Sequence, residues 1–185
     1  VLSPSKKGVA GSVNLNRELQ LALNPPSILK QEYAYGNTIF RVGDKVMQIK
    51  NDYDIIWTKP NGEAGSGIFN GDIGRIIAIN HNASFMKIDF DGRISLYPFD
   101  NIGELELAYA ITVHKSQGSE YPVVIIPMYY CPPMLMTRNL LYTAVTRAKR
   151  MVIVVGRSDI PSKMVVLTKK RRIAPPLNLC LIILR

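Results

Sequence analysis

Two short apolar runs constrain this chain more than any other feature: residues 123–127 (Val-Val-Ile-Ile-Pro) and residues 151–155 (Met-Val-Ile-Val-Val). Both are strand-sized and rich in β-branched side chains, as buried parallel strands are. Between them, residues 138–150 place Leu140, Leu141, Ala144, Val145 and Ala148 on one face of a helix. Strands alternating with a helix predict a parallel α/β sheet. A further apolar strand is expected at 105–110, followed by a polar loop containing Gly118.

Residues 39–102 read differently. Short β-rich runs at 39–41, 45–50, 73–80, 85–90 and 93–97 are separated by turns at 42–44, 70–72, 80–83 and 91–92. Met86, Ile88 and Phe90 alternate with Lys87 and Asp89, the period of a half-buried strand. Asp91-Gly92 between two such runs is a hairpin signal. Several short strands with regular turns predict a small β-barrel, inserted between two parts of one α/β domain. Residues 51–68, rich in Gly and polar side chains, read as a long loop. Near the N-terminus a helix is expected over residues 12–23, with Val13, Leu15, Leu19, Leu21 and Leu23 as its apolar positions, Ser12 as its cap and Asn24-Pro25-Pro26 as its stop.

The formal net charge of +9 is unevenly spread. Residues 157–185 carry seven basic side chains against Asp159, a net of +6, which leaves +3 for residues 1–156. The run Lys169-Lys170-Arg171-Arg172 reads as a solvated tail and says little about partners. Beyond it, residues 177–184 are almost wholly apolar and could dock as an edge strand. Cys131 and Cys180 are too few for a disulfide framework and lack metal-ligand spacing, so a reducing, cytoplasmic setting is expected. No run approaches the roughly 20 apolar residues of a membrane span. The chain opens on Val1, as a piece of a longer protein would. No G-x-x-x-x-G-K-S/T loop is present; residues 8–12 contain two glycines without the following Lys-Ser/Thr.

Chemistry concentrates in Thr112-Val113-His114-Lys115-Ser116-Gln117-Gly118-Ser119-Glu120. Within nine residues the loop offers hydroxyls, an imidazole, an ammonium, an amide and a carboxylate, and Gly118 permits close backbone approach. This string resembles motif V of superfamily 1 helicases, and Leu141-Tyr142-Thr143-Ala144-Val145-Thr146-Arg147-Ala148 resembles their motif VI. Asp44 to Gln48, followed by Asn70-Gly71-Asp72-Ile73-Gly74, resembles the small barrel inserted in the RecD-like branch. Ser3 to Gly8, with Gly11 and Leu15-Asn16, resembles the motif IV region that opens the second RecA-like domain of that branch.

That resemblance covers about residues 1–156. It implies an α/β fold: a RecA-like, P-loop-NTPase-type parallel sheet with an inserted SH3-like barrel. Residues 1–38 and 103–156 would form RecA-like domain 2A, residues 39–102 the 2B barrel, and residues 157–185 a basic, proline-containing tail without a counterpart. The implied activity is that of the C-terminal motor of an ATP-dependent 5′-to-3′ DNA helicase in recombination and repair. Arg147 matches the motif VI arginine, whose planar, always-charged guanidinium suits charge developing on phosphoryl oxygens. Such fingers accelerate phosphoryl transfer roughly 10³–10⁵-fold. Gln117, Gly118 and Glu120 match positions near ATP, with Glu120 at the ribose. Thr112, His114 and Lys115 match positions at single-stranded DNA, and Lys6 and Lys7 suit its phosphates. ATP and Mg²⁺ would be held mainly by the N-terminal RecA-like domain of the same protein. The expected partners are that domain, single-stranded DNA and other exodeoxyribonuclease V subunits, without a membrane. In the barrel, Tyr53, Trp57 and Tyr97 are candidate stacking residues, with Lys59 and Arg93 as basic partners. A non-catalytic nucleic-acid- or protein-binding module derived from such a motor is the alternative, and a phosphate-binding loop upstream discriminates between the two.

Overall fold

The computed structural model describes residues 1–157, 159–166 and 178–183. Along the chain the elements are β1 (Leu2–Ser3), α1 (Ser12–Leu23), β2 (Glu32–Tyr35), β3 (Thr38–Arg41), β4 (Lys45–Gln48), β5 (Asp52–Thr58), β6 (Ala64–Ile68), β7 (Ile73–Asn80), β8 (Phe85–Phe90), β9 (Arg93–Pro98), β10 (Leu105–Leu107), β11 (Ile111–Thr112), β12 (Tyr121–Met128), α2 (Arg138–Val145), β13 (Ala148–Gly156), α3 (Asp159–Val166) and β14 (Asn178–Ile183). They form two compact units. One holds residues 1–15 with 110–185, the other residues 16–109. The basic run at 169–172 lies outside the described residues.

The unit of residues 16–109 is antiparallel and β-rich, as an SH3-like insert should be. Seven strands form one sheet in the order β10-β4-β7-β8-β9-β5-β6. The alternation read in β8 holds: Met86, Ile88 and Phe90 are fully buried in a core with Phe40, Val46, Ile68, Ile76 and Ile79. Asp91 and Gly92, at φ of 53° and 84°, form the tight turn from β8 to β9. Two positive φ values in succession give the backbone twist that a right-twisted hairpin requires.

Two expectations fail in this unit. Residues 51–68 are not a long loop but the hairpin β5–β6. Only Ile55, Gly67 and Ile68 in it are buried, so it shows no alternation, and its glycines and polar side chains imitate a loop. Gly65 is needed there, since a Cβ would lie 2.4 Å from the Trp57 ring. The strand expected at 105–110 is also different. Only Leu105–Leu107 is extended, and it pairs antiparallel with β4 rather than joining the parallel sheet.

Helix α1 forms where expected, but the face it buries is not the apolar one. Val13, Leu21 and Leu23 are about half exposed or more, whereas Asn16 and Gln20, with Asn24 just beyond the helix, are buried. Their helical spacing puts all three on one face: Asn16 Nδ2 donates to Leu107 O at 2.8 Å, while Gln20 and Asn24 meet the fully buried carboxylate of Asp44. Gln20 Nε2 and Asn24 Nδ2 donate to Asp44, the latter at 2.6 Å. The Arg41 amide donates at 2.7 Å and the Tyr109 hydroxyl at 2.9 Å. A buried charge is tolerable only when its lone pairs are filled this way.

In the unit of residues 1–15 and 110–185, β12, β13 and β14 form a parallel sheet in that order, and β1 pairs parallel with β11. Residues 178–183 of the apolar C-terminal run do add an edge strand to β13. Val124, Ile126, Met128, Val152 and Val154 are buried, with α2 against β12 and β13. Helix α2 is shorter than the expected 138–150. Thr137 caps its start, its side chain accepting from the Leu140 amide at 3.3 Å, and the helix ends at Val145. The chain must leave it there, because Arg147 O accepts from the Tyr121 amide at 2.8 Å and opens the β12–β13 ladder. Ala148 to Arg150 therefore belong to β13.

Tyr109 makes the Asp44 network sensitive to alkali. Burial, then the hydrogen bond and charge of Asp44, push its pKa up to about 12 from an ordinary value of 10.0. The folded state thus favours the neutral phenol. Its contribution is complete below pH about 10 and is lost as pH rises from about 10 to about 12. Urea midpoints measured across that window should fall with pH, and Tyr109→Phe should flatten the fall.

Candidate functional site

All nine site residues singled out from the sequence lie in the unit that contains the parallel sheet. The β1–β11 pairing sets Ser3 beside Thr112, so the loops after both strands leave the same end of a parallel pair. Lys6 and Lys7 are exposed on the first loop. Ser3, fully buried, folds that loop back: its hydroxyl donates to Ala10 O at 2.6 Å and lies 2.8 Å from Ser5 O. Gly11 is required where the loop meets α1, because a Cβ would come within 2.5 Å of the Lys7 carbonyl. The first amides of α1 are already used, Ser12 N donating to Ser5 O and Val13 N to Lys6 O.

The second loop begins with a single helical turn, His114–Ser116. The Thr112 hydroxyl accepts from Lys115 N at 3.3 Å, and the buried Ser116 hydroxyl donates to Val113 O at 2.7 Å. These bonds hold the turn and leave the His114 and Gln117 side chains exposed. Gly118 follows at φ +83° with open space where a side chain would be. Glycine is needed here for its backbone conformation, not for lack of room. Glu120 is exposed and ion-paired with Lys149 at 3.1 Å. At that exposure the pair contributes at most about 1 kcal/mol.

The β12–β13 ladder brings the end of this loop to Arg147. The guanidinium donates from Nη1 to Ser119 O at 3.3 Å and from Nη2 to Thr146 Oγ1 at 3.4 Å. Both contacts are long for hydrogen bonds of a charged donor. Its Nε is buried without a partner, and so is the hydroxyl of Tyr121. An unpaired buried polar group costs about 1–3 kcal/mol. Burial raises the Tyr121 pKa, outweighing the nearby Ser119 hydroxyl, which lies outside good hydrogen-bond geometry, and the Arg147 charge, which both favour the phenolate. Tyr121, Ser119, Thr146 and Lys149 are site residues that the sequence reading gave no role. Tyr121 directly follows Glu120 at a strand start, which is the only signal that could have pointed to it.

The structure therefore joins Ser119, Glu120 and Tyr121 to Arg147 and Lys149, and joins the Lys6–Lys7 loop to Thr112. Among the described residues no cluster of His, Cys, Asp and Glu could hold a metal ion, and no helix is long and apolar enough to cross a membrane.

The candidate stacking residues of the β-rich unit divide. Tyr97 is fully buried, its hydroxyl hydrogen-bonded to Gln48 Oε1 at 2.9 Å, and cannot stack on a base. Trp57 packs against the core, with Lys59 and Arg93 over its ring at 5.5 and 6.0 Å. Both cations also have carboxylate partners, Glu63 and Asp72. Tyr53 is exposed and sits edge-on to Phe69, an exposed aromatic that the sequence reading missed.

Residues 15–90 match the family described as the SH3 domain of ATP-dependent RecD-like DNA helicases, and residues 107–155 match the UvrD-like helicase C-terminal domain. The chain is 37% identical over 149 residues to the ATP-dependent RecD2 DNA helicase of Deinococcus radiodurans, covering 80% of this chain and 19% of the relative. It is 32% identical over 161 residues to the RecBCD enzyme subunit RecD of Mycobacterium tuberculosis, covering 84% and 24%. The chain thus spans only 19% and 24% of the length of these two curated relatives. In fold it is similar to the Bacteroides Pif1 helicase solved with ADP-AlF3 and single-stranded DNA, with a TM-score of 0.50 at 20% identity over 83% of this chain and 39% of that one. A Pif1 structure addressing unwinding at forked DNA gives 0.51 at the same identity, over 83% and 38%.

Gly118 carries a local prediction. Gly118→Ala forces a Cβ into the left-handed region at a cost of about 1–2 kcal/mol, although nothing obstructs the methyl. Thermal unfolding should show that loss, and a wild-type Tm would contradict the conformation of this loop.

Proposed function

The domain architecture is that of RecD-like superfamily 1 helicases, and from it we propose that this chain is the C-terminal motor portion of an ATP-dependent 5′-to-3′ DNA helicase. The helicase named in both matching families and in the Deinococcus relative supports a motor and DNA-binding role. The observation that carries the finer reading is the position of Arg147. Its guanidinium lies on the backbone of Ser119, one residue from Gly118 and one from Glu120, with a buried donor still unpaired.

A charged, planar donor group with spare hydrogen-bonding capacity suits an anionic oxygen. ATP, when bound against this wall by a second RecA-like domain, supplies the phosphoryl bond whose hydrolysis drives movement. This chain's part is to present Arg147 to the phosphoryl group, to leave the backbone at Gly118 open to it and to hold DNA on the adjoining loops. Glu120 lies at the rim, exposed enough to exchange Lys149 for a ribose hydroxyl. Lys6, Lys7 and Thr112 share the ends of the paired strands β1 and β11, and His114 and Lys115 follow on the same loop. A phosphate backbone tracking along them would meet ammonium, hydroxyl and imidazole groups in succession. The DNA strand, the N-terminal motor domain and, in a RecBCD-type assembly, further exodeoxyribonuclease V subunits are the proposed partners.

Two experiments bear on this. In the full-length protein, Arg147→Ala should lower ATP turnover by roughly 10³-fold or more while sparing most single-stranded DNA affinity; turnover near wild type would exclude the finger. For DNA, the affinity of labelled oligothymidine measured against salt should lose about 0.7 from its log–log slope for each phosphate contact removed. Lys6→Ala and Lys7→Ala should each weaken binding and flatten that slope, and unchanged slopes would remove them from the DNA path.

A further inference from the structure

We infer that Tyr121 is the positioning residue for Arg147, its hydroxyl being the acceptor that anchors Nε when the two terminal nitrogens turn toward a phosphoryl anion. The inference rests on the reading of Arg147 as the finger and adds the residue that aims it.

A guanidinium has five N–H donors in a rigid fork. To address a phosphoryl group with both terminal nitrogens, the side chain must be held through Nε, the donor left over. In this structure the arrangement is reversed. Nη1 and Nη2 are engaged within the protein, on Ser119 O and Thr146 Oγ1 at 3.3 and 3.4 Å, and Nε has nothing. The conformation is a parked one, held by two long contacts.

The missing partner for Nε is at hand. Tyr121 lies beside Arg147, close enough for the guanidinium charge to act on its phenol. Their backbones are tied by the 2.8 Å bond from Tyr121 N to Arg147 O. The Tyr121 hydroxyl is buried, with the Ser119 hydroxyl near it but no well-formed hydrogen bond. A buried donor and a buried acceptor, neither well paired, thus belong to two residues joined through their backbones. A rotation of the Arg147 side chain that lifts Nη1 from Ser119 and Nη2 from Thr146 lets Nε–H donate to the Tyr121 oxygen. The fork is then free, and the anchor is made by the same movement. Two weak contacts are exchanged for one anchor and the bonds to the anion. Burial raises the Tyr121 pKa above its ordinary value, which favours the neutral hydroxyl.

Tyr121→Phe in the full-length protein tests this, because it removes only the oxygen. An unpaired buried hydroxyl is a liability to the resting fold, so the variant's Tm without nucleotide should equal or exceed that of the wild type. ATPase kcat should nevertheless fall about 10- to 100-fold, the usual effect of a misplaced reacting group. KM for ATP and affinity for oligothymidine should stay unchanged. A merely structural role predicts the opposite pairing, a lower Tm with kcat intact or with kcat and KM disturbed together, and either result overturns the inference. Arg147→Ala separates the two levels. If it abolishes turnover while Tyr121→Phe retains wild-type kcat, the positioning role falls and the finger stands. If Arg147→Ala turns over ATP normally, the finger reading falls and the inference falls with it.

Discussion

The parallel pairing of β12 with β13 is the constraint on which the site depends. Its first rung, Tyr121 N to Arg147 O, joins residues that lie 26 positions apart in sequence and closes the turn after α2. Everything chemical then follows from what each strand brings to that rung. The loop before β12 delivers Gly118, Ser119 and Glu120, and the turn before β13 delivers Thr146 and Arg147. The bulge between Tyr121 and Val123 adjusts the register at this point, before the regular ladder from Val123 to Met128. The α2 helix is cut short for the same reason, since one further turn would withdraw Arg147 O from the Tyr121 amide.

The β-rich unit is organised around a different interaction. Asp44 is fully buried and accepts from Gln20, Asn24, the Arg41 amide and Tyr109. Around it the guanidinium of Arg41, itself buried, reaches Glu32 and the Asn24 carbonyl, and Lys30 reaches the Asn24 side chain. The second half of α1 is therefore fastened to the sheet by directional bonds, not by an apolar stripe. A directional network fixes one register of helix on sheet, whereas apolar packing tolerates repacking. It also explains how leucines on this helix can face outward while the helix remains in place.

Where sequence reading succeeded, local physics decided the outcome. The strands at 73–80 and 85–90 fall where alternation puts them, because one face of each is buried and a shift of one residue would turn the wrong side inward. The turn at Asp91-Gly92 and the helix over 12–23 are likewise set by local backbone preference. Where it failed, a distant partner decided. The hairpin over 52–68 has a solvent-facing, glycine-containing strand that carries no pattern of its own, and only Trp57 lying over Gly65 reveals it. Tyr97 reads as an available aromatic, yet its hydroxyl finds Gln48, 49 positions away, and the ring is sealed in.

The sequence by itself determined the order of the elements, the separation of a β-rich region from a parallel α/β region, and the residues of the two motif strings. These depend on side-chain period and on neighbours a few positions away. Only the tertiary structure decided which face of α1 is buried, that residues 105–107 serve the antiparallel sheet, and that Tyr121 is tied by its backbone to Arg147 with its hydroxyl buried. Each of those depends on a contact between residues far apart in the chain, where neither partner carries a mark of the other until the fold sets them side by side.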